Sequence, residues 1–181
     1  MGLFTSNEIF KTTAIVMIAT LCMVTVSALP AGDKPFNLSL TTHLGDGQTF
    51  RDGDIVSFYV SLDHDAYLLF VYQDAGDRLN VLLPNALHPD NYFKAGLFIP
   101  IPNEQNPFQF RISAPFGTET LWVFASDQPF PSHNSQKTPN GASVLTGNLK
   151  TLRGAIQQHC RRIKASCEET SLSLLTSATN R

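Results

Sequence analysis

Residues 67–85, YLLFVYQDAGDRLNVLLPN, constrain the fold of this chain more than any other stretch. Residues 67–73 are apolar at odd and even positions alike, the pattern of a strand packed on both faces. Asp74, Ala75, Gly76 and Asp77 then supply turn chemistry: a glycine free to take positive φ, and two aspartates able to bond back to the backbone. Residues 78–83 alternate, with Leu79, Val81 and Leu83 on one face and Arg78, Asn80 and Leu82 on the other. Pro84 has no N–H for a ladder, so the strand ends there. The stretch reads as a hairpin at the centre of an all-β domain.

The flanking sequence repeats the period of two. Residues 35–42 alternate through Phe36, Leu38 and Leu40, and residues 55–62 place Val56, Phe58, Val60 and Leu62 on a core face. Gly45-Asp46-Gly47 and Arg51-Asp52-Gly53-Asp54 are turns around the short extended piece Thr49-Phe50. Beyond Asn85 a polar loop runs to about Tyr92. The apolar run 97–101 is confined to an edge or a strand end by Pro100 and Pro102. Residues 108–113 alternate through Phe108, Phe110 and Ile112. Residues 118–126, TETLWVFAS, form a second candidate for a strand buried on both sides, with the lone Trp122 in the core. Residues 127–141 are rich in Pro, Ser and Asn, lack periodicity and read as a long surface loop, where function tends to sit.

The period then changes. Leu149, Leu152, Ile156, Cys160 and Ile163 recur at intervals of three and four, one face of a helix over 148–164. Asn148 suits the N-cap, and Arg161, Arg162 and Lys164 complement the dipole at the other end. The apolar face is narrow, so the helix lies on the sheet rather than inside it. A last strand follows at 169–176. The expected architecture is mainly β: an antiparallel β-sandwich-like domain over 29–181 with one C-terminal α-helix packed on it.

Residues 14–26, AIVMIATLCMVTV, follow Lys11 and end in small residues at Val26-Ser27-Ala28. That is the layout of a secretory signal peptide over 1–28, and the run is shorter than a bilayer span. An uncleaved anchor is the alternative. Of the three cysteines, Cys22 lies in the leader, leaving Cys160 and Cys167, which in an exported chain read as a disulfide. The formal charge is −2, and the leader removes only Glu8 and Lys11, one charge of each sign. So balanced a surface argues against binding along a nucleic-acid backbone.

Between residues 53 and 131 the features fall into a familiar order. Gly53-Asp54 precedes a strand, Asp65-Ala66-Tyr67-Leu68 opens the next, and Gly76 sits in the hairpin. Leu83-Pro84-Asn85, Ala95-Gly96, Ile99-Pro100, Pro115-Phe116-Gly117-Thr118-Glu119 and Ala125-Ser126-Asp127 follow. This segment resembles the bacterial domain-of-unknown-function family 4384. The resemblance implies an exported or envelope-associated domain, often appended to kinase, caspase-like or repeat modules, with no established catalytic residues. The expectation that only a leader accompanies the domain here departs from that multi-domain pattern.

Candidate sites are few. Asp63-His64-Asp65 has metal-binding side chains, but adjacent residues of an extended segment point to alternate faces, so a solvated turn is expected. The 74–77 turn lacks the spacing of a calcium loop. His159 and Cys160 diverge by about 100° around a helix, which argues against a thiolate–imidazolium pair. No G-x-S-x-G, H-E-x-x-H or phosphate loop occurs. Acid pairs such as Glu168-Glu169 or Asp52 with Asp54 serve a hydrolase only within a cleft. No catalytic residue, metal ligand or cofactor is therefore assigned.

Asn85 beside Pro84 positions a loop or contacts a ligand. Phe98, Phe116 and Phe130 stand near prolines, where they form a docking patch or cap the core. The expectation is a non-enzymatic interaction module of the bacterial periplasm, a subunit or accessory of an envelope or secretion assembly. Its partners are other envelope proteins; it meets the membrane only through such an assembly or an uncleaved leader. Binding of peptidoglycan or another small ligand through the loops around Asn85, Phe98 and Phe130 is the alternative, with a hydrolase third.

Overall fold

A strand that is apolar on both sides must be covered on both sides. The computed structural model of the chain, which describes residues 37–104, 108–133, 135–138 and 143–179, provides two different covers. The described residues belong to the unit Asp33–Arg181. The expected leader at 1–28, and the first two residues of the strand expected at 35–42, lie outside them.

In chain order the elements are β1 (Leu38–Thr42), β2 (Thr49–Arg51), β3 (Ile55–Val56), β4 (Phe58–Leu62), β5 (Ala66–Gln73), β6 (Leu79–Leu83) and β7 (Tyr92–Phe93). Then come β8 (Gly96–Ile101), β9 (Phe110–Arg111), β10 (Thr118–Ser126), β11 (Ser135–Lys137), β12 (Ser143–Leu145), α1 (Leu149–Ile163) and β13 (Cys167–Ser177). The main sheet runs β11-β12-β6-β5-β10-β13-β2, with β7 paired to the start of β5. Its pairings are antiparallel except the one between β13 and β2. A second sheet, β1-β4-β8, and a short β3–β9 ribbon complete the β structure among the described residues.

One apolar core lies between the sheets. It joins Leu68 and Phe70 of β5, Leu121, Val123 and Ala125 of β10, and Leu172 and Leu174 of β13 to Phe58, Val60 and Leu62 of β4. The other lies under the helix, where Leu69, Val71, Leu79, Val81 and Phe124 meet Ile156 and Cys160. Strands β5 and β10 are thus buried on both faces because they sit between a sheet and a helix. This is the sandwich with a packed helix that the periodicity predicts.

The details depart from expectation where backbone pairing overrides pattern. Leu79, Val81 and Leu83 do not share a face. Phe70 pairs with Leu83 and Val71 with Val81, so Leu82 is an extra residue on β6. That bulge turns Leu83 into the core between the sheets while Leu79 and Val81 stay under the helix. The strand expected at 55–62 divides at Ser57: β3 pairs with β9 and β4 enters the small sheet. Within the expected loop 127–141, β11 pairs with β12, which pairs with β6 at the rim of the main sheet. An edge of that kind needs backbone groups and no apolar stripe, so the composition concealed it.

Helix α1 begins and ends as its caps dictate. Asn148 Oδ1 accepts the Thr151 N–H at 2.9 Å, and Lys164 takes φ 55° at the other end. Arg153 forms a bidentate ion pair with Glu169 of β13 and stacks its guanidinium 5.3 Å from the Trp122 ring. Trp122 is accordingly half-buried beneath the helix rather than sealed in the core. Ile163 continues the apolar spacing yet is 39% exposed, because the stripe is covered only as far as Cys160. There the Cys160–Cys167 disulfide, 6.3 Å between Cα atoms, ties the helix to the first residue of β13. That strand starts two residues before the expected 169.

Candidate binding site

Strand β10 carries Leu121, Val123 and Ala125 inward, and the same parity carries Glu119 inward with them. Glu119 is 2% exposed. Tyr72 follows Leu68 and Phe70 on the matching face of β5, and its hydroxyl donates to Glu119 Oε2. This acid–phenol pair forms the floor of a cavity of about 590 Å³. Phe58, Leu82, Phe108 and Phe110 supply apolar wall, and Arg78, Arg111 and Asp74 supply charge. The volume falls within the usual range for small-molecule sites.

Burial pushes the Glu119 carboxyl above the ordinary glutamate value, and Asp74 adds to the rise; the Tyr72 hydroxyl, the Ala75 amide and the Thr176 hydroxyl pull the other way and do not cancel it. Tyr72 is raised too, first by burial and then by the Glu119 carboxylate. A raised carboxyl binds more protons in the folded than in the unfolded state. Its contribution is therefore whole below pH 4.5, the unperturbed value, and is lost as the pH rises through the folded-state value. Across that window wild type should lose thermal stability relative to Glu119→Gln. His133, lowered by burial, acts with the opposite sign but is common to both proteins, so the difference between the two curves isolates Glu119. Parallel melting curves from pH 4 to 8 would contradict this account of the buried acid.

Asn85 lies beside the cavity and serves its loop. Its Oδ1 accepts the amides of Leu87 and His88, each at 2.8 Å, and its Nδ2 donates to the Leu82 carbonyl at 2.6 Å. It also lines the cavity, so the same residue shapes the rim. The three phenylalanines do not converge. Phe116 packs against the core between the sheets, while Phe130 packs under the helix, on the other face of the main sheet.

Phe98 is different. It lies on β8, an edge of the small sheet, at φ 56°, with its amide donating to Ser61 Oγ at 3.2 Å. Phe98 is 65% exposed and its neighbour Leu97 is 79% exposed. Tyr59 meets the Phe98 ring edge-on at 6.4 Å. Left-handed backbone is unusual for a bulky residue, and such geometry persists only where the surroundings enforce it.

Asp63 and Asp65 bond to different partners, as expected for alternate faces. Asp63 accepts from the Asn37 amide and His64, and Asp65 from Lys94, the Ala95 amide and the Tyr92 hydroxyl. No group of three metal-binding side chains occurs among the described residues. Neither Tyr72 nor Glu119 stands out in the sequence as a site residue, although Glu119 closes the Pro115–Glu119 motif. The available signal was parity: an acid two residues before Leu121 on a stripe that otherwise holds apolar side chains.

Residues 49–129 match the family described as Domain of unknown function (DUF4384), close to the 53–131 segment that carries the resemblance. No curated protein and no solved structure shows significant similarity to the chain. The matched segment holds β2 through β10, and with them Tyr72, Arg78, Asn85, Phe98, Arg111 and Glu119. It leaves out β13, which lies between β10 and β2 and joins them into one sheet.

Proposed function

We propose that this chain, a member of the DUF4384 family by residues 49–129, is a non-enzymatic interaction module of the bacterial periplasm, a subunit or accessory of an envelope assembly such as a secretion apparatus. The observation that carries the reading is the exposed pair Leu97 and Phe98 on edge strand β8. An aromatic side chain displayed on constrained backbone beside a large aliphatic one is the chemistry of an interface anchor. The Cys160–Cys167 bridge supports an oxidising compartment. The signal-like layout of residues 1–28 supports export.

Co-purification from detergent-solubilised envelopes tests it, using the full chain beside Phe98→Ser and Leu97→Ser. Both side chains are exposed, so stability should change by no more than about 0.5 kcal/mol. The expected result is a stoichiometric envelope partner with wild type that is lost with Phe98→Ser. Recovery as a lone monomer under every condition overturns the proposal.

A second reading, binding of a cell-wall glycan or small ligand, draws on the cavity beside Asn85. Retention on purified peptidoglycan supports the glycan form of it, and no retention removes that form.

A further inference from the structure

We propose that the cavity above Tyr72 and Glu119 is a binding site for an apolar monocarboxylic acid, its carboxylate held by Arg78 and Arg111 and its apolar body seated against Leu82, Phe108 and Phe110. The site is separate from the docking edge, since neither Leu97 nor Phe98 lines it. The two proposals can therefore fail independently.

The Arg78 guanidinium has no hydrogen-bond or ion-pair partner among the described residues. Arg111 commits one nitrogen, Nη1, to the Gly53 carbonyl at 2.9 Å, and among the described residues no partner engages the rest of its donor fork. A guanidinium matches a carboxylate in shape as well as charge, and such pairs are among the stronger hydrogen bonds. Asp74 does not neutralise the arginines by direct contact. Its Oδ1 accepts the amides of Gly76 and Arg78, each at 2.9 Å, within its own turn.

The wall explains the rest of the ligand. Phe110 packs 5.6 Å from Phe58 and 5.4 Å from Phe108, a row of rings in which Phe58 is buried while Phe108 and Phe110 are half-buried. Half-buried rings around a cavity favour an occupant that removes the remaining apolar surface from water. Charge then selects among occupants. Asp74, Arg78, Arg111 and Glu119 are the charged residues of the lining, and burial favours the uncharged form of Glu119. Two arginines set beside the carboxyl groups of Asp74 and Glu119 suit a singly charged acid better than a phosphate monoester.

Isothermal titration of the full chain tests the assignment with 4-phenylbutyrate, its amide, decanoate and acetyl-Leu-Phe. Decanoate stands for a lipid-derived acid and acetyl-Leu-Phe for a peptide terminus. The acid that binds most tightly identifies the source. Saturable binding of at least one acid at one site is expected. The amide should bind at least about tenfold more weakly than 4-phenylbutyrate, the effect of one lost charge-assisted pair. Arg78→Gln and Arg111→Gln should each weaken acid binding by a similar factor, whereas Phe98→Ser should leave it unchanged. Both arginines are exposed, so the variants should fold. Three results would overturn the proposal: no saturable binding of any acid, equal binding of acid and amide, or full affinity in the doubly substituted Arg78→Gln, Arg111→Gln protein.

Discussion

Phe70→Ala and Phe124→Ala should each destabilise the protein by about 3–5 kcal/mol, the range for truncating a buried aromatic side chain. The two residues lie on adjacent strands of one sheet and face opposite ways. Phe70 enters the core between the sheets, and Phe124 enters the core beneath α1. Each is almost completely buried. Both losses combine the transfer of apolar surface with a cavity that the surrounding strands cannot close. Because domains of this size are stable by only about 5–15 kcal/mol, either substitution should move a urea midpoint far outside error. Leu175→Ala, at a position 52% exposed on β13, is the matched control and should stay within about 0.5 kcal/mol. A Phe124→Ala loss below about 1 kcal/mol would mean that the helix does not seal a second core.

Removing the Cys160–Cys167 bridge by double alanine substitution should cost about 2–3 kcal/mol, the chain-entropy value for so short a loop. The effect should concentrate in α1, because only Ile156 and Cys160 of the helix are fully buried. Besides these contacts the helix is held by the half-buried Leu149 and Leu152, and by the Arg153–Glu169 ion pair and the Arg153–Trp122 stack, which are partly exposed and contribute modestly. Hydrogen exchange should therefore show α1 amides opening well before those of β5 and β10 in the bridge-free protein. The melting temperature should fall by roughly 5–10 °C. An unchanged melting temperature with unchanged α1 protection would show that packing alone secures the helix. The same loss is expected when the bridge of the native protein is reduced.

The legible parts of the fold were those where one segment's side chains report their own surroundings. Residues 67–73 and 118–126 are apolar on both faces because both faces are covered, and their strands lie where that pattern predicts. Helix α1 announced itself by its period and by Asn148, and the cysteine pair by its count. What escaped were features created by partners distant in sequence. The Leu82 bulge depends on how β6 registers against β5. Strand β11 exists because β12 offers it an edge, and neither has an apolar stripe to betray it. The candidate site was half visible: Asn85 was singled out, while Glu119 and Tyr72 became a site only when β10 and β5 came together.

By itself the sequence determined that residues 67–73 and 118–126 are extended, where the helix starts and stops, and which two cysteines could be joined. Those properties follow from local sterics, side-chain period and capping, which act within a few residues. Tertiary structure alone decided which face of β6 each leucine takes, that β2 lies parallel to β13, and that an acid and a phenol share the floor of a cavity. The reason is that register, burial and cavity shape are set by pairings between chain segments far apart in sequence, and a period of two is satisfied equally well by more than one partner.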